Sequence, residues 1–238
     1  MRIGHYDWSG GTEAMLRFGP DTGPVVIAAL PLFEEANRTR AFMVSILRAL
    51  AQREIGSILP DLPGTGESLT PLESMTIQRM QGAYEDLVSA TDREGRRAYG
   101  IGIRSGALLD TLGPLSGRWH FAPQSGEDLL RELTRVKQAE LGIAKPLREM
   151  WFLDGSRTSA EIAGNSISAD LLSTLAVEAY VVAPGTSRRT VRLMSDPKPA
   201  DVRVDAAPLW RRSEPDNDIA LAECLANDIA DWIATCES

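Results

Sequence analysis

Short apolar runs alternate with longer amphipathic stretches along this chain. Pro24-Val-Val-Ile-Ala-Ala-Leu30 is unbroken in its apolar character, as expected of a strand buried on both faces. Residues 39–53 then carry Phe42, Met43, Ile46, Leu47 and Leu50 at helical spacing. Gly56-Ser-Ile-Leu-Pro60 predicts another strand and residues 74–91 a second helix. Tyr99–Ile103 and Arg118–Ala122 read as strands, with a helix over Gly106–Leu112 between them. Ser125-Gly-Glu-Asp128 has the S-x-x-D form of a capping box and opens a helix through about Glu140. Tyr180–Ala183 and Val202–Ala206 predict the last two strands. Asp216–Thr235 predicts a closing helix with Ile219, Ala222, Leu225, Ile229 and Trp232 inward. Ahead of all these, residues 5–8 and 13–19 suit a hairpin around Ser9-Gly10-Gly11.

Strands alternating with helices imply an α/β fold, a mostly parallel sheet covered on both faces. The segment at about 124–175 is too long for one crossover and is expected to form a small cap over the sheet's carboxyl edge. One domain spanning 1–238 is expected. Pro197-Lys-Pro199 is the most linker-like spot, and it separates no domain.

Composition narrows the partners. A hydrophobic content of 43% and a charged content of 24% fit an ordinary globular protein. A formal charge of -8 and a pI near 4.9 weigh against nucleic acid or an anionic membrane surface. No apolar stretch approaches the roughly 20 residues of a membrane span, and the polar opening does not resemble a signal peptide. Cys224 and Cys236 both fall in the last helix, twelve apart and off a common face, so neither a disulfide nor a metal site is expected. No cofactor is expected, and the chain reads as cytoplasmic.

The most telling residue is Arg104. Residues 96–109, Arg-Arg-Ala-Tyr-Gly-Ile-Gly-Ile-Arg-Ser-Gly-Ala-Leu-Leu, have the strand–turn–helix layout of the G-x-S-x-G nucleophile elbow of α/β-hydrolases. Gly102 and Gly106 fill the small flanking positions, but arginine occupies the centre. A guanidinium stays protonated and has no acceptor lone pair, so it cannot attack a carbonyl. Ser105 is a poor substitute as nucleophile, because that frame places Ile103 at a flank that must be small. The loop before the last helix, Pro208–Asp216, holds no histidine to serve as base. Of the two histidines, His5 is expected at the surface and His120 as a packed or edge residue of its strand. Pro184-Gly-Thr-Ser-Arg188, after the expected penultimate strand, offers no triad carboxylate.

Leu30–Arg40 follows the buried strand, where a hydrolase draws one oxyanion-hole N–H. Phe33, Glu34, Glu35 and Asn37 make it a candidate ligand loop together with Arg104 and Ser105, against the plainer reading of a solvated helix start. An ion pair from Arg104 to Glu34 or Glu35, Glu35 being favoured, is expected, since a buried guanidinium needs a carboxylate. Asp61-Leu-Pro-Gly-Thr-Gly-Glu-Ser68 superficially suits a phosphate loop, but that frame sets Glu67 where G-x-x-x-x-G-K-[ST] requires lysine, so it reads as a structural turn. Trp119, Trp151, Trp210 and Trp232 read as core or cap contacts.

The segments Leu32–Asn37, Leu59–Gly66, Gly102–Leu109, Pro123–Leu130, Glu161–Ser168 and Pro208–Trp210 together give the chain a resemblance to the exosortase A system-associated hydrolases of the second type. That resemblance implies the α/β-hydrolase fold, arginine at the elbow as a family trait, and association with bacterial exopolysaccharide and protein-sorting systems. Three functions stay open. One is a triad-less protein binding a small anionic or acyl ligand in the cleft. Another is an ester or thioester hydrolase with His120, Glu34 or Glu35 as an unconventional base. The third is a non-catalytic scaffold for exosortase-system proteins.

Overall fold

The computed structural model describes residues 1–142, 159–178, 186–212 and 215–238. Its centre is an eight-stranded sheet built from β1 (Arg2–Trp8), β2 (Gly11–Phe18), β3 (Val25–Ala29), β4 (Gly56–Pro60), β5 (Ala98–Ile103), β6 (Gly117–Phe121), β9 (Ser187–Leu193) and β10 (Val202–Val204), in the order β1-β2-β4-β3-β5-β6-β9-β10. β1 and β2 form the expected hairpin and β2 runs antiparallel to β4, while every pairing from β4 to β10 is parallel. The remaining strands, β7 (Ser159–Ile162) and β8 (Asn165–Ser168), form a separate antiparallel pair.

Alternation along the strands sorts the core into two layers. Val25, Ile27 and Ala29 of β3 face a cluster with Ile77, Met80, Tyr84 and Leu87 of α2 (Ile77–Arg93). Val26 and Ala28 face the opposite cluster, with Phe42, Met43, Ile46 and Leu47 of α1 (Glu34–Gln52) and Leu225, Ile229 and Trp232 of α5 (Ile219–Glu237). Helices thus cover both faces, as the pattern predicts. Between β6 and β9 lie α3 (Gly126–Leu141), the β7–β8 hairpin and α4 (Ala169–Val177). Ser125 caps α3 by accepting the Asp128 N–H, the N-cap half of the expected capping box, while the Asp128 carboxylate goes to Arg131 and Lys198 instead of back to Ser125.

Several boundaries move. α1 begins at Glu34 rather than 39, so the candidate loop residues Glu34, Glu35 and Asn37 lie in its first turn, where carboxylates suit the helix dipole. The helix expected over Gly106–Leu112 is a 3-10 turn at Arg104–Leu108, because Gly113-Pro114 follows closely and cannot continue an α-helix. Ile219, expected inward, is 59% exposed at the first turn of α5. The strand expected at 180–183 lies outside the described residues, as does Trp151. The penultimate strand of the sheet is β9, Ser-Arg-Arg-Thr-Val-Arg-Leu, whose three arginines conceal its strand character. Arg189 bonds Asp228 and Arg192 bonds Asp196, which makes their burial tolerable.

The Asp61–Ser68 segment is a structural turn. The Asp61 carboxylate accepts bonds from Arg40 and from the Glu67 N–H, and a Cβ at Gly66 would lie 2.3 Å from its Oδ1.

Two glycines separate close packing from conformational cost. A Cβ on Gly106 would fall 2.4 Å from the Ala29 carbonyl oxygen, whereas Gly82, within α2, has nothing within 4 Å of that position. In urea denaturation, Gly106→Ala is expected to destabilise by about 1–3 kcal/mol or more through overpacking. Gly82→Ala should stabilise by about 0.5–1 kcal/mol through helix propensity. Equal effects of the two would contradict the packing described.

Candidate functional site

The turn that follows β5 sets the site. Arg104 leaves β5 at φ 54°, a left-handed conformation that costs about 1–3 kcal/mol for a residue with a Cβ. Its flanks make the turn possible. A Cβ on Gly102 would sit 2.8 Å from the Ala107 nitrogen, and one on Gly106 would strike the β3 backbone. The elbow geometry read from the sequence is therefore present, with an arginine at its apex.

The guanidinium is only 12% exposed and is bound from two sides. Nε and Nη2 each lie 3.2 Å from a Glu35 carboxylate oxygen, the pairing expected from sequence. Nη2 also reaches both Glu132 oxygens, at 2.8 and 2.7 Å. The Trp210 ring covers the group, its centroid 4.8 Å from Cζ, a cation–π contact. Gln124 adds a bond to Glu132 at 2.8 Å and donates its own N–H to the Arg104 carbonyl at 3.3 Å. Burial disfavours charge on Arg104, but Glu35 and then Glu132 outweigh it, so its pKa rises. Burial also pushes the Glu35 carboxyl up, aided by Glu132 and opposed by Arg104.

The other candidates divide sharply. Glu34 pairs with Arg38, whose guanidinium also donates to the Trp210 carbonyl at 3.1 Å. Phe33 precedes α1 at φ 61°, a second strained position beside the elbow, and lines the same cleft as Glu34 and Glu35. Asn37 lines smaller hollows on the other side of that loop, beside Gly66. Ser105 is fully buried, and its hydroxyl accepts the Leu32 N–H at 2.9 Å, fastening the elbow to the loop after β3. His120 is likewise buried in β6, with Nε2 2.7 Å from Asp110 Oδ2. His5 is exposed on β1. Neither histidine lines the cavities described next.

Three features escaped the sequence. Glu132 lies within α3, where a single glutamate on an amphipathic helix carries no signal. Trp210, expected to be an ordinary core or cap residue, is buried yet spends its face on Arg104, in the loop between β10 and α5. The absence of a carboxylate after the penultimate strand is also corrected. That strand is β9, and the loop beyond it carries Asp196, bonded to Arg192 at 2.6 Å and to the Lys198 N–H at 3.0 Å. The omission followed from taking 180–183 as the penultimate strand, a place that β9 holds.

Two cavities meet at Glu132, Arg135, Trp210 and Arg211. One, about 350 Å³, is lined by Arg104, Asp128, Arg131, Arg192, Asp196 and Lys198 among others. Its neighbour, about 590 Å³, is walled by Leu32, Phe33, Leu129, Leu133, Val136 and Ile162, with Glu34, Glu35 and Arg38 at its polar side. Both are of ligand size. Among the described residues, no group of three or more His, Cys, Asp or Glu side chains is placed to hold a metal ion, and no helix is long and apolar enough to cross a membrane.

No protein-family model matches the chain, and no curated protein matches it detectably. Solved structures do. Est1E from Butyrivibrio proteoclasticus is similar over 98% of this chain and 100% of its own, at TM-score 0.66 and 11% identity. The α/β hydrolase GrgF from Penicillium sp. sh18 matches over 97% and 96% at TM-score 0.62 and 13% identity. A haloalkane dehalogenase loop variant, DbeA-M1 from Bradyrhizobium elkanii, matches over 99% and 97% at TM-score 0.59 and 15% identity. With the sheet order above, these neighbours define the chain as an α/β-hydrolase-fold protein. At such identities the likeness concerns fold alone.

Glu35 supplies a pH signature with an unusual sign. Its folded pKa is raised, so the native state keeps a proton that the unfolded chain, near pKa 4.3, has released. The stabilisation linked to that proton is complete below the unfolded value and is lost as pH rises through the folded one. Unfolding free energies of the native sequence minus those of Glu35→Gln should therefore fall as pH increases from about 4. A difference that climbs with pH would contradict the assignment.

Proposed function

We propose that this protein binds a small anionic or acyl ligand in the cleft beside the elbow and does not hydrolyse it through a Ser-His-Asp triad. The observation that carries this reading is the occupancy of the apex by Arg104, held by Glu35 and Glu132 beneath Trp210. An elbow turn exists to present a nucleophile. Here it presents a cation to one of two adjoining ligand-sized cavities. Phe33, Glu34 and Glu35 face the ligand from the start of α1, Asn37 lies on the far side of that turn, and Ser105 anchors the loop from below. The resemblance to exosortase A system-associated hydrolases supports a setting beside bacterial exopolysaccharide and protein-sorting machinery, in the cytoplasm.

One observation favours a second reading. Glu35 is an acid at the cleft whose pKa is pushed upward by burial, a property suited to general acid–base work, so an ester or thioester hydrolase using Glu35 on water is the alternative.

Turnover of a panel of p-nitrophenyl and thioester substrates tests the first reading against the second. The native protein and Arg104→Ser should both show rates no higher than background. A serine at 104 would gain the right position but no base, and an unassisted hydroxyl is a weak nucleophile at neutral pH. A rise of several hundredfold in Arg104→Ser would reveal a functional base and overturn the proposal. Native turnover abolished by Glu35→Gln would establish the alternative.

A further inference from the structure

The smaller cavity reverses the charge of the molecule. The chain carries a formal charge of -8. Yet six cationic side chains, Arg104, Arg131, Arg135, Arg192, Lys198 and Arg211, line this one hollow of about 350 Å³. Only three carboxylates, Asp128, Glu132 and Asp196, share it. Those carboxylates are already committed. Glu132 is bound to Arg104, Asp196 to Arg192, and Asp128 serves both Arg131 and Lys198.

The surplus charge has a definite location. Among the described residues, no hydrogen bond or ion pair engages the side chain of Arg135 or Arg211. Both residues also line the apolar cavity of about 590 Å³ next door. The free guanidinium groups thus stand at the seam between a cationic hollow and an apolar one.

Resting on the binding reading above, we infer that the two cavities form one bipartite site for a phosphate monoester bearing an aliphatic chain. The phosphate lies in the cationic hollow against Arg135, Arg211, Arg131 and Lys198, and the chain lies along Leu129, Leu133, Val136 and Ile162. Chemistry selects this class over its neighbours. A phosphate monoester carries about -1.5 to -2 at pH 7, which suits the excess of cations better than a single carboxylate charge. Guanidinium groups match phosphate oxygens in bidentate geometry. The adjoining hydrocarbon wall has no counterpart in a free phosphate ion.

Calorimetric titration of the full chain with four probes tests the assignment: inorganic phosphate, octyl phosphate and decyl phosphate below their micellar concentrations, and decanoate. Decyl phosphate should bind more tightly than octyl phosphate by about fourfold for each added methylene that is buried. It should also bind at least tenfold more tightly than decanoate, with inorganic phosphate weakest. Arg135→Glu with Arg211→Glu should weaken decyl phosphate at least thirtyfold and decanoate by a smaller factor. Both side chains are exposed, so the fold should persist, and an unchanged circular dichroism melt checks this. Val136→Asp, at another exposed position, should erase the chain-length increment and spare inorganic phosphate.

Decanoate binding as tightly as decyl phosphate would overturn the phosphate assignment and leave the binding reading intact. Inorganic phosphate equalling decyl phosphate would overturn the bipartite site. Decyl phosphate bound as expected but released as decanol and phosphate would uphold the ligand class and refute the absence of hydrolysis. Failure of all four probes to bind would refute the ligand class.

Discussion

The Arg104 guanidinium ties together four segments that are distant in sequence: the start of α1, the elbow after β5, the body of α3 and the loop before α5. Glu35, Glu132 and Trp210 each bring one of those segments to it. Burying such a cation without partners would be prohibitive, and two carboxylates and an aromatic face make it stable. The same contacts determine the walls of both cavities, because Glu132 and Trp210 belong to each. The shape of the cleft follows from the way this one charge is satisfied.

The elbow keeps its strain while its apex has changed chemistry. Positive φ at Arg104 and at Phe33, and glycines whose Cβ atoms would strike backbone, are the costs of a turn that projects a side chain outward from a buried strand. Ser105 adds a fastening from below through the Leu32 N–H, which commits that donor within the protein. The result is a rigid platform presenting positive charge where a neutral nucleophile would be expected. An arginine of this kind is fixed in place by packing and ion pairs and sets the wall of the cleft.

Legibility varied with the range of the interaction that mattered. Strands β3, β4 and β5 and helix α2 were readable because their apolar periodicity is local and uninterrupted. The elbow was readable because only glycine fits its flanks. The Arg104–Glu35 pair could be inferred because both residues follow adjacent parallel strands. Glu132 could not, since its role depends on how α3 folds back over the elbow. β9 was concealed by Arg188, Arg189 and Arg192, whose burial makes sense only once partners such as Asp228 and Asp196 are in view. That single omission moved the loop carrying Asp196 out of sight. Trp210 was expected to pack in the core or against a cap, and only its orientation toward a cation distinguishes it.

A double-mutant cycle crossing Arg104→Ala with Glu35→Gln, read by urea denaturation at neutral pH, tests the central ion-pair cluster most directly. Arg104→Ala in the native background should cost about 3–5 kcal/mol, because it strands carboxylates in the interior. In the Glu35→Gln background the same change should cost less, by at least about 1 kcal/mol, as expected of residues in direct contact. Additive effects, within about 0.3–0.5 kcal/mol, or an Arg104→Ala protein as stable as the native one, would contradict a structure organised around this charge.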